Sequence, residues 1–324
     1  MLILAFLLAS CCVLQAEGRR LVFSPHWLPQ AQFAGYYVAY DQGFYREAGL
    51  DVEIIHPSAA VNAQRFLEDG RADVISLFLV TGLKAACDGL PVVNFAQLSQ
   101  QSAIMLVSKA ESGIERLEDM EGKRIGIWMS GFQEVPQAMM EAHGVEVEWV
   151  PILSTVNLFL LGGVDVMTVM WYNEYNQLYF SGIDWDEMNT FFVGDYGFNI
   201  PEDGLYALED TWEERQEDLR AFTEATLRGW EYADRHREYA VELVVDLMRR
   251  FNVPSNRAHQ RWMLDKVLQT QSLEGHDVGI TELHPDDFHH TLSILRNHYG
   301  QDFPIRYRDF FRPVLPELHK HQSQ

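Results

Sequence analysis

The sequence is poor in cysteine and in basic residues, and it has no long apolar run beyond its first twenty residues. Only Cys11, Cys12 and Cys87 are present, and so sparse and odd a set does not build a disulfide framework. No later segment has the roughly 18 consecutive apolar residues that a membrane-spanning helix requires. Acidic residues outnumber basic ones by 47 to 25, and the formal net charge is −22. Because so acidic a surface repels phosphate backbones and anionic lipid headgroups, we do not expect nucleic acid as a partner.

The first twenty residues contain a short apolar run of a different kind. Residues 2–9 are long enough for the core of a signal peptide and too short to span a membrane. The run leads into Leu8-Ala-Ser-Cys11, which resembles the lipobox of bacterial lipoproteins, where the cysteine is lipidated. No Lys or Arg precedes the run, so cleavage near Ala16 and a buried N-terminal strand stay as alternatives. We assign residues 1–20 to an export signal with a short linker, and we expect a lipid anchor on Cys11.

The rest of the chain alternates short apolar strands with helices, which is typical of an α/β fold. The first unit is a strand at Leu21-Val-Phe23, a loop, a helix that ends near Gly43 and a strand over residues 50–55. The pattern starts again at residues 125–127. In addition, Gly70-Arg-Ala-Asp73 and Gly163-Val-Asp165 resemble each other, since a glycine turn and an aspartate precede an apolar strand in both. We therefore predict two lobes of similar construction.

The predicted division places the first lobe at residues 21–108, the second lobe at 109–200 and a return to the first lobe, with C-terminal helices, at 201–324. Two crossings, near 105–110 and 200–206, would make a clamshell whose cleft is lined by loops of both lobes. We expect each lobe to be a mixed, mostly parallel sheet flanked by helices. Open α/β sheets bind ligands at the carboxyl ends of their strands, so the residues that follow the strands are the candidate site.

The loop after the first strand mixes aromatic rings with carboxamides. It holds Trp27, Gln30, Gln32 and Phe33, and Tyr36 follows at the beginning of the helix. A flat indole beside two carboxamides is what a pocket for a flat, hydrogen-bonding ligand needs. The alternative interpretation is a core aromatic with solvated amides.

Three further groups of aromatic and polar residues fall at predicted strand ends. They are Phe78 and Gln100 in the first lobe, Trp128 and Ser130 at the start of the second, and Trp171, Tyr172, Asn173, Glu174 and Tyr196 later in the second. Ser130 precedes a helix whose free N–H groups could hold an acceptor group, although a plain helix cap explains it equally well. A carboxylate such as Glu174 is costly to desolvate unless a ligand amino group or a basic residue of the protein donates to it.

No residue pattern predicts a catalytic or metal centre. Six histidines lie between residues 284 and 321, but no pair has the flanking pattern of a metalloprotease helix and there is no cysteine pair for zinc. We interpret this region as a solvated polar face. We expect neither a metal nor a cofactor.

One motif points to a known family. It runs Trp27-x-Pro-Gln-Ala-Gln-Phe-Ala-Gly-Tyr-Tyr-Val-Ala and is followed by Gly43-Phe-Tyr-x-Glu-x-Gly-Leu-Asp and Val52. It closely resembles the opening of the thiamine-pyrimidine-precursor family of periplasmic solute-binding proteins, which serve ABC importers and are related to riboflavin, alkanesulfonate and taurine binders. The match is dense over residues 21–56 and looser to about residue 250.

The resemblance implies the type II periplasmic-binding-protein clamshell and a protein that is monomeric, periplasmic or held at the cell surface. It implies a thiamine pyrimidine precursor or a related flat heterocycle as ligand and an ABC importer permease as partner. In the resembled family the region around Glu174 faces the pyrimidine.

Several alternatives stay open. Riboflavin or another aromatic solute would suit the same fold. Sulfonate binders share it but need cationic or N–H-rich anion sites, and the four groups above contain no Arg or Lys, which favours a neutral or weakly basic ligand. Some eukaryotic relatives are enzymes that synthesise the pyrimidine and carry a dense cysteine motif, which this chain lacks. We therefore expect a binding protein, with a pyrimidine-synthesising enzyme or a sensor module as the alternatives from other classes.

Overall fold

The structure is a computed structural model that describes residues 18–58, 61–129, 131, 133–153, 155–271 and 281–315. Within these ranges the strands are β1 (Arg19–Ser24), β2 (Leu50–Ile54), β3 (Val74–Phe78), β4 (Val92–Gln97), β5 (Ile104–Lys109), β6 (Arg124–Trp128), β7 (Glu148–Ile152), β8 (Val166–Met170), β9 (Met188–Phe192) and β10 (Asp203–Leu208).

The α-helices alternate with the strands as far as residue 208 and dominate the chain beyond it. They are α1 (Ala34–Asp41), α2 (Phe44–Glu47), α3 (Ala63–Glu68), α4 (Leu79–Cys87), α5 (Glu134–Ala142), α6 (Asn157–Leu160), α7 (Glu174–Phe180), α8 (Glu209–Glu214), α9 (Gln216–Arg235), α10 (Arg237–Arg250), α11 (Arg257–Thr270), α12 (Pro285–Tyr299) and α13 (Tyr307–Phe310). Among the described residues, none of the helices combines the length and the apolar character of a membrane span.

The strands form two five-stranded sheets with one topology. The first sheet has the order β2-β1-β3-β10-β4 and the second has the order β7-β6-β8-β5-β9. In each sheet four strands run in the same direction, and one strand, β10 or β5, lies antiparallel between its two neighbours. The predicted pair of similar, mostly parallel lobes is therefore confirmed.

Each antiparallel strand is supplied by a segment that connects the two sheets. β10 returns from the second lobe to the first, as predicted, and the structure shows that it pairs between β3 and β4. β5 pairs with β8 and β9, so the strand that we placed at the end of the first lobe belongs to the second, and the first crossing precedes residue 104. The predicted boundary at residues 108 and 109 is corrected. Its position depends on long-range strand pairing, which the local apolar pattern of β5 does not reveal.

Two aspartates occupy equivalent positions in the two sheets. Asp73, before β3, accepts a hydrogen bond from the Val22 N–H of β1 (2.7 Å), and its own N–H donates to the Val22 carbonyl (2.8 Å). Asp165, before β8, accepts from the Arg124 N–H of β6 (3.0 Å), and its N–H donates to the Arg124 carbonyl (2.9 Å). The repeated sequence pattern therefore corresponds to the same pair of hydrogen bonds in both sheets. These bonds hold β1 at Val22 and β6 at Arg124, in the strands that lead to Trp27 and Trp128.

Helix α1, which follows the Trp27 loop, crosses α9 at unusually close range. A Cβ atom on Gly229 would lie 2.1 Å from the Gly35 carbonyl oxygen, and a Cβ atom on Gly35 would lie 2.2 Å from the Trp230 ring. Both distances are shorter than van der Waals contact, so only glycine fits at the crossing. This contact fixes α1, and with it the end of the loop that carries Trp27.

We expect Asp165→Asn to destabilise the protein at neutral pH. The Arg124 Nη2–Asp165 Oδ1 pair is 2.9 Å apart, and hydrogen bonding from Arg124 holds the pKa of Asp165 below its usual value. The substitution should lower the free energy of unfolding by about 1–2 kcal/mol, because charge-assisted bonds are lost from a partly exposed site.

A carboxyl with a lowered pKa stabilises the fold above its unfolded-state pKa of about 3.9, and this contribution is lost as the pH falls through the folded-state value. The difference from the wild type should therefore shrink below about pH 4. Urea unfolding from pH 3 to 7 measures this difference. Equal stabilities of the wild type and Asp165→Asn at pH 7 would show that the Asp165–Arg124 interaction does not stabilise the fold.

Candidate functional site

A cavity of about 650 Å³ lies between the lobes, at the carboxyl ends of β1, β3, β6 and β8. This volume lies within the range of small-molecule sites, about 300–1,000 Å³. The first lobe, the second lobe and the C-terminal helices all contribute to the wall, which consists of His26, Trp27, Leu28, Gln30, Gln32, Asn62, Ala63, Gln64, Leu77, Phe78, Thr81, Trp128, Gly131, Met170, Tyr172, Asn173, Glu174, Gln177, Met248, Val253, Pro254, His259 and Gln260. Among the described residues, no lysine or arginine belongs to this wall.

Eight of the residues that the sequence predicted for the site lie in the cavity wall. They are Trp27, Gln30, Gln32, Phe78, Trp128, Tyr172, Asn173 and Glu174. The two lobes contribute four each. Trp27 is 41% exposed, so its indole is open to solvent rather than packed in a core.

Two predicted residues lie in the core of the first lobe instead. Phe33 is fully buried, and its ring meets the ring of His26 edge to face, with centroids 5.1 Å apart. Tyr36 packs on Phe23, with ring centroids 4.5 Å apart, and on Trp230. Both side chains lie on the inner face of the turn that begins α1, which packs against the sheet and α9. Their expected place in the pocket is corrected.

Three more predicted residues also lie away from the cavity. The Gln100 side chain donates to the carbonyls of Gln97 and Glu282, at 2.9 and 3.0 Å, and so satisfies buried backbone. Trp171 lies beneath the Lys266 ammonium, 4.3 Å from its ring centre, on the side of the strand end that faces α11. Tyr196 packs against His143. These expectations are likewise corrected, and Ser130 and Cys11 lie outside the described residues.

Several cavity residues were missed in the sequence. His26 directly precedes Trp27, and its place in the same loop was a usable signal. His259 and Gln260 come from α11, more than two hundred residues away in the chain. No local pattern marks them, since they reach the cavity only because α11 packs against the first loop and against α7.

The wall of the first lobe is a hydrogen-bonded chain of polar side chains. Gln30 Nε2 donates to Gln32 Oε1 (2.6 Å), and Gln32 Nε2 donates to Asp203 Oδ2 (3.1 Å). Gln32 Nε2 also lies 3.4 Å from His26 Nε2. His26 Nδ1 lies 3.0 Å from Ser76 Oγ and 3.6 Å from Asp203 Oδ1. Two glutamines of one loop are thus connected to a carboxyl group at the beginning of β10.

The wall of the second lobe is centred on Glu174. Its Oε2 accepts from the Met170 N–H (2.9 Å), and its Oε1 accepts from Asn173 Nδ2 (2.7 Å). Asn173 Oδ1 lies 3.0 Å from His259 Nε2, and His259 Nδ1 lies 2.8 Å from Asn176 Oδ1. Within the part of the chain that the structure describes, no basic side chain forms a salt bridge with Glu174. The alternative in which Glu174 is the partner of a protein cation therefore has no support.

Burial shifts the protonation of the site toward neutral forms. It raises the pKa of Glu174 and of Asp203 to about 7, and it lowers the pKa of His26 to about 3 and of His259 to about 4. The two histidines are therefore neutral at physiological pH. The two carboxyl groups change protonation near neutrality, so each can exchange a proton with a bound base.

The lobes touch each other on both sides of the cavity. Thr81 Oγ1 of α4 donates to the Gly131 carbonyl of the opposite lobe. The Tyr299 hydroxyl of α12 donates to Glu134 Oε1 of α5 (2.6 Å), and Trp262 Nε1 of α11 donates to the Trp171 carbonyl (3.0 Å). These contacts join the two lobes around the cavity.

A family model described as NMT1/THI5 like matches residues 30–240. The formylaminopyrimidine-binding protein of Halalkalibacterium halodurans is 27% identical over 297 residues, which cover 89% of this chain and 88% of that protein. The 4-amino-5-hydroxymethyl-2-methylpyrimidine phosphate synthase of Schizosaccharomyces pombe is 25% identical over 107 residues, 33% of this chain and 31% of that one.

Among solved structures, the zinc-bound ligand-binding component of an ABC-type import system from Staphylococcus aureus has the same fold. It superposes with a TM-score of 0.65 at 12% identity and covers 94% of this chain and 99% of that one. Among the residues described for our chain, no group of three or more His, Cys, Asp or Glu could hold a metal ion. The likeness to the zinc-bound protein therefore concerns the fold.

The raised pKa of Glu174 predicts a pH-dependent stability of the protein without ligand. A carboxyl whose folded-state pKa is about 7 and whose unfolded-state pKa is about 4.3 stabilises the fold fully below the lower value. This contribution is lost as the pH rises to 7. Since Glu174→Gln cannot ionise, its stability relative to the wild type should improve between pH 5 and 8 by on the order of 3 kcal/mol.

Urea unfolding at pH 5, 6, 7 and 8 measures this relative change. The exposed Glu141→Gln, in the same lobe, is the control for removal of a carboxylate. If the difference between the wild type and Glu174→Gln stays constant across this range, Glu174 does not titrate near neutrality.

Proposed function

Because this chain belongs to the NMT1/THI5-like family, we propose that it is a solute-binding protein that captures a small flat heterocycle outside the cytoplasmic membrane. The ligand that we propose is a thiamine pyrimidine precursor, and the destination is an ABC importer. The fold is that of the periplasmic binding proteins, with two mixed five-stranded sheets and a cleft between them. In such proteins the lobes close around the ligand by a hinge motion.

The composition of the cavity wall carries this proposal. The wall joins aromatic rings, Trp27 and Phe78 in one lobe and Trp128 and Tyr172 in the other, to a few carboxamide and carboxyl groups. Aromatic faces bind flat rings, and the polar groups set the orientation of the ligand. Since no lysine or arginine of the described residues lines the cavity, a sulfonate or phosphate would find no cation there. This supports a neutral or weakly basic heterocycle.

Glu174 is the group that we propose for recognition of the amino substituent. A 4-aminopyrimidine offers an exocyclic amine and a ring nitrogen that can take up a proton. A carboxyl group whose pKa burial raises to about 7 can accept from the amine and share a proton with the ring nitrogen. A ligand of this kind would also compensate the cost of burying the carboxylate, to which the residues described by the structure supply no cation.

We propose binding rather than catalysis. The pyrimidine-binding relative matches nearly the whole chain, whereas the synthase matches a third of it. A synthase that made the pyrimidine would need reactive groups in the cavity. The histidines there, His26 and His259, are both neutral and are already hydrogen-bonded to Ser76 and Asn176.

Isothermal titration calorimetry tests the function. We expect the wild type to bind 4-amino-5-hydroxymethyl-2-methylpyrimidine at one site per chain and to give no heat with taurine or riboflavin. Saturable binding of taurine with none of the pyrimidine would overturn the proposal, and so would a complete lack of pyrimidine binding.

Trp27→Ala should weaken pyrimidine binding by roughly 1–3 kcal/mol, the range seen when an aromatic stacking partner of a base is removed. Because the indole is 41% exposed, the melting temperature should change little. The control is Tyr40→Ala, which removes an exposed aromatic outside the cavity. Should Trp27→Ala bind normally but melt far earlier, the indole supports the fold and not the ligand.

We also propose that the protein is held at the membrane by a lipid on Cys11. The support is the sequence Leu8-Ala-Ser-Cys11, since residues 1–17 lie outside the described part. Cell fractionation should find the wild type with the membranes and Cys11→Ala in the soluble fraction, while Cys12→Ala, the adjacent control, should stay with the membranes. Membrane retention of Cys11→Ala would remove this part of the proposal.

A further inference from the structure

The hydrogen bonds that link Gln30, Gln32 and Asp203, here called the amide chain, run in a defined donor-to-acceptor direction. A carboxamide carries its donors on one atom and its acceptor on the other, so each bond in a chain of amides determines the next. Gln32 Nε2 faces two acceptors, Asp203 Oδ2 at 3.1 Å and His26 Nε2 at 3.4 Å. Gln32 Oε1 must then accept, and it accepts from Gln30 Nε2 at 2.6 Å.

The direction is consistent with the state of His26. Its Nδ1 lies 3.0 Å from Ser76 Oγ, to which it can donate, and this tautomer leaves Nε2 as the acceptor that faces Gln32. The polar atom left at the end of the chain is Gln30 Oε1. It has no hydrogen-bond partner among the described residues, and Gln30 belongs to the cavity wall.

We propose that Asp203 sets the hydrogen-bonding polarity of the cavity: through Gln32 it holds Gln30 with the carbonyl oxygen toward the ligand. The first lobe thereby presents an acceptor, as Glu174 does in the second. The cavity selects heterocycles with an exocyclic amino group over their oxo counterparts, because an amine has two N–H donors and a carbonyl has none. Asp203 is a positioning residue here, and this inference rests on the proposed pyrimidine-binding function.

A neutral amide in place of the Asp203 carboxylate would no longer fix the donor-to-acceptor direction of the amide chain. Asn at this position can offer either its oxygen or its nitrogen to Gln32, and His26 can carry its ring proton on either nitrogen beside the Ser76 hydroxyl, so both directions of the hydrogen bonds can be satisfied. Gln30 would then present Oε1 or Nε2 according to the ligand. The expected signature is a loss of discrimination, while a purely structural role of Asp203 would change stability or weaken all ligands alike.

The experiment compares two probes, 4-amino-5-hydroxymethyl-2-methylpyrimidine and its 4-oxo counterpart, by calorimetry at pH 8. We expect the wild type to prefer the amino probe by about 100-fold, and Asp203→Asn to reduce this ratio by about 3- to 10-fold, since an acceptor that faces an acceptor leaves both unpaired. The control is Asp218→Asn, which removes a buried carboxyl outside the cavity wall. Asp218 pairs with Arg19 (2.7 Å) and Arg215 (3.0 Å) instead of with Gln30 or Gln32.

Gln30→Leu tests the same idea without touching the buried carboxyl. It should lower the ratio to the level of Asp203→Asn, and the double variant should show no further loss, because both changes remove one interaction. If Asp203→Asn does not fold, Gln30→Leu decides alone, and an unchanged ratio in it overturns the inference.

An unchanged ratio in folded Asp203→Asn also overturns the inference, and so does an equal fall in Asp218→Asn. Failure of the wild type to bind either probe would instead overturn the proposed function.

Discussion

The cleft depends on a buried carboxyl group that ties together the two segments connecting the sheets. Glu202, in the returning segment, accepts from the Ala103 N–H (2.6 Å) of the outgoing one, and the Ser102 N–H donates to Asn199 Oδ1 (2.9 Å) beside it. These segments feed β5 and β10, the antiparallel strands inside the two sheets. Separating them would strain both sheets at once. Burial raises the pKa of Glu202 to about 8, so the hydrogen bonds that connect the two segments depend on the protonation of this carboxyl group.

The two lobes are built alike but face the cavity with different chemistry. An equivalent aspartate clamps β1 and β6, and each strand leads to a loop with a tryptophan in the cavity wall. The first lobe adds the amide chain that ends on Asp203, and the second adds Glu174. Among the described residues neither of these buried carboxyl groups has a cationic partner, and burial without such a partner costs stability. A ligand that donates to the cavity would recover this cost, so the same groups that weaken the empty protein would favour an amine.

Much of the fold could be predicted from the sequence, because many of its features depend on residues that are close together in the chain. The strands, the repeated glycine–aspartate pattern and the tryptophan loop are each set by neighbouring residues. Long-range pairing could not be predicted: β5 looked like any strand of the first lobe, and His259 reaches the cavity from a helix with no local signal. Phe33 and Tyr36 share the motif of Trp27, but the turn of the helix directs them into the core. Asp203 follows Glu202 at the beginning of an ordinary apolar strand, and only the fold places it behind Gln32.

The central claim is that loops of both lobes form one ligand site, and the indole N–H signals of the eight tryptophans test it directly. A titration of ¹⁵N-labelled protein with 4-amino-5-hydroxymethyl-2-methylpyrimidine should shift the signals of Trp27 and Trp128 along one binding curve. The signal of Trp212, whose Nε1 donates to the Arg312 carbonyl outside the cavity, should stay in place. Shifts confined to one lobe, or absent from both Trp27 and Trp128, would contradict the account.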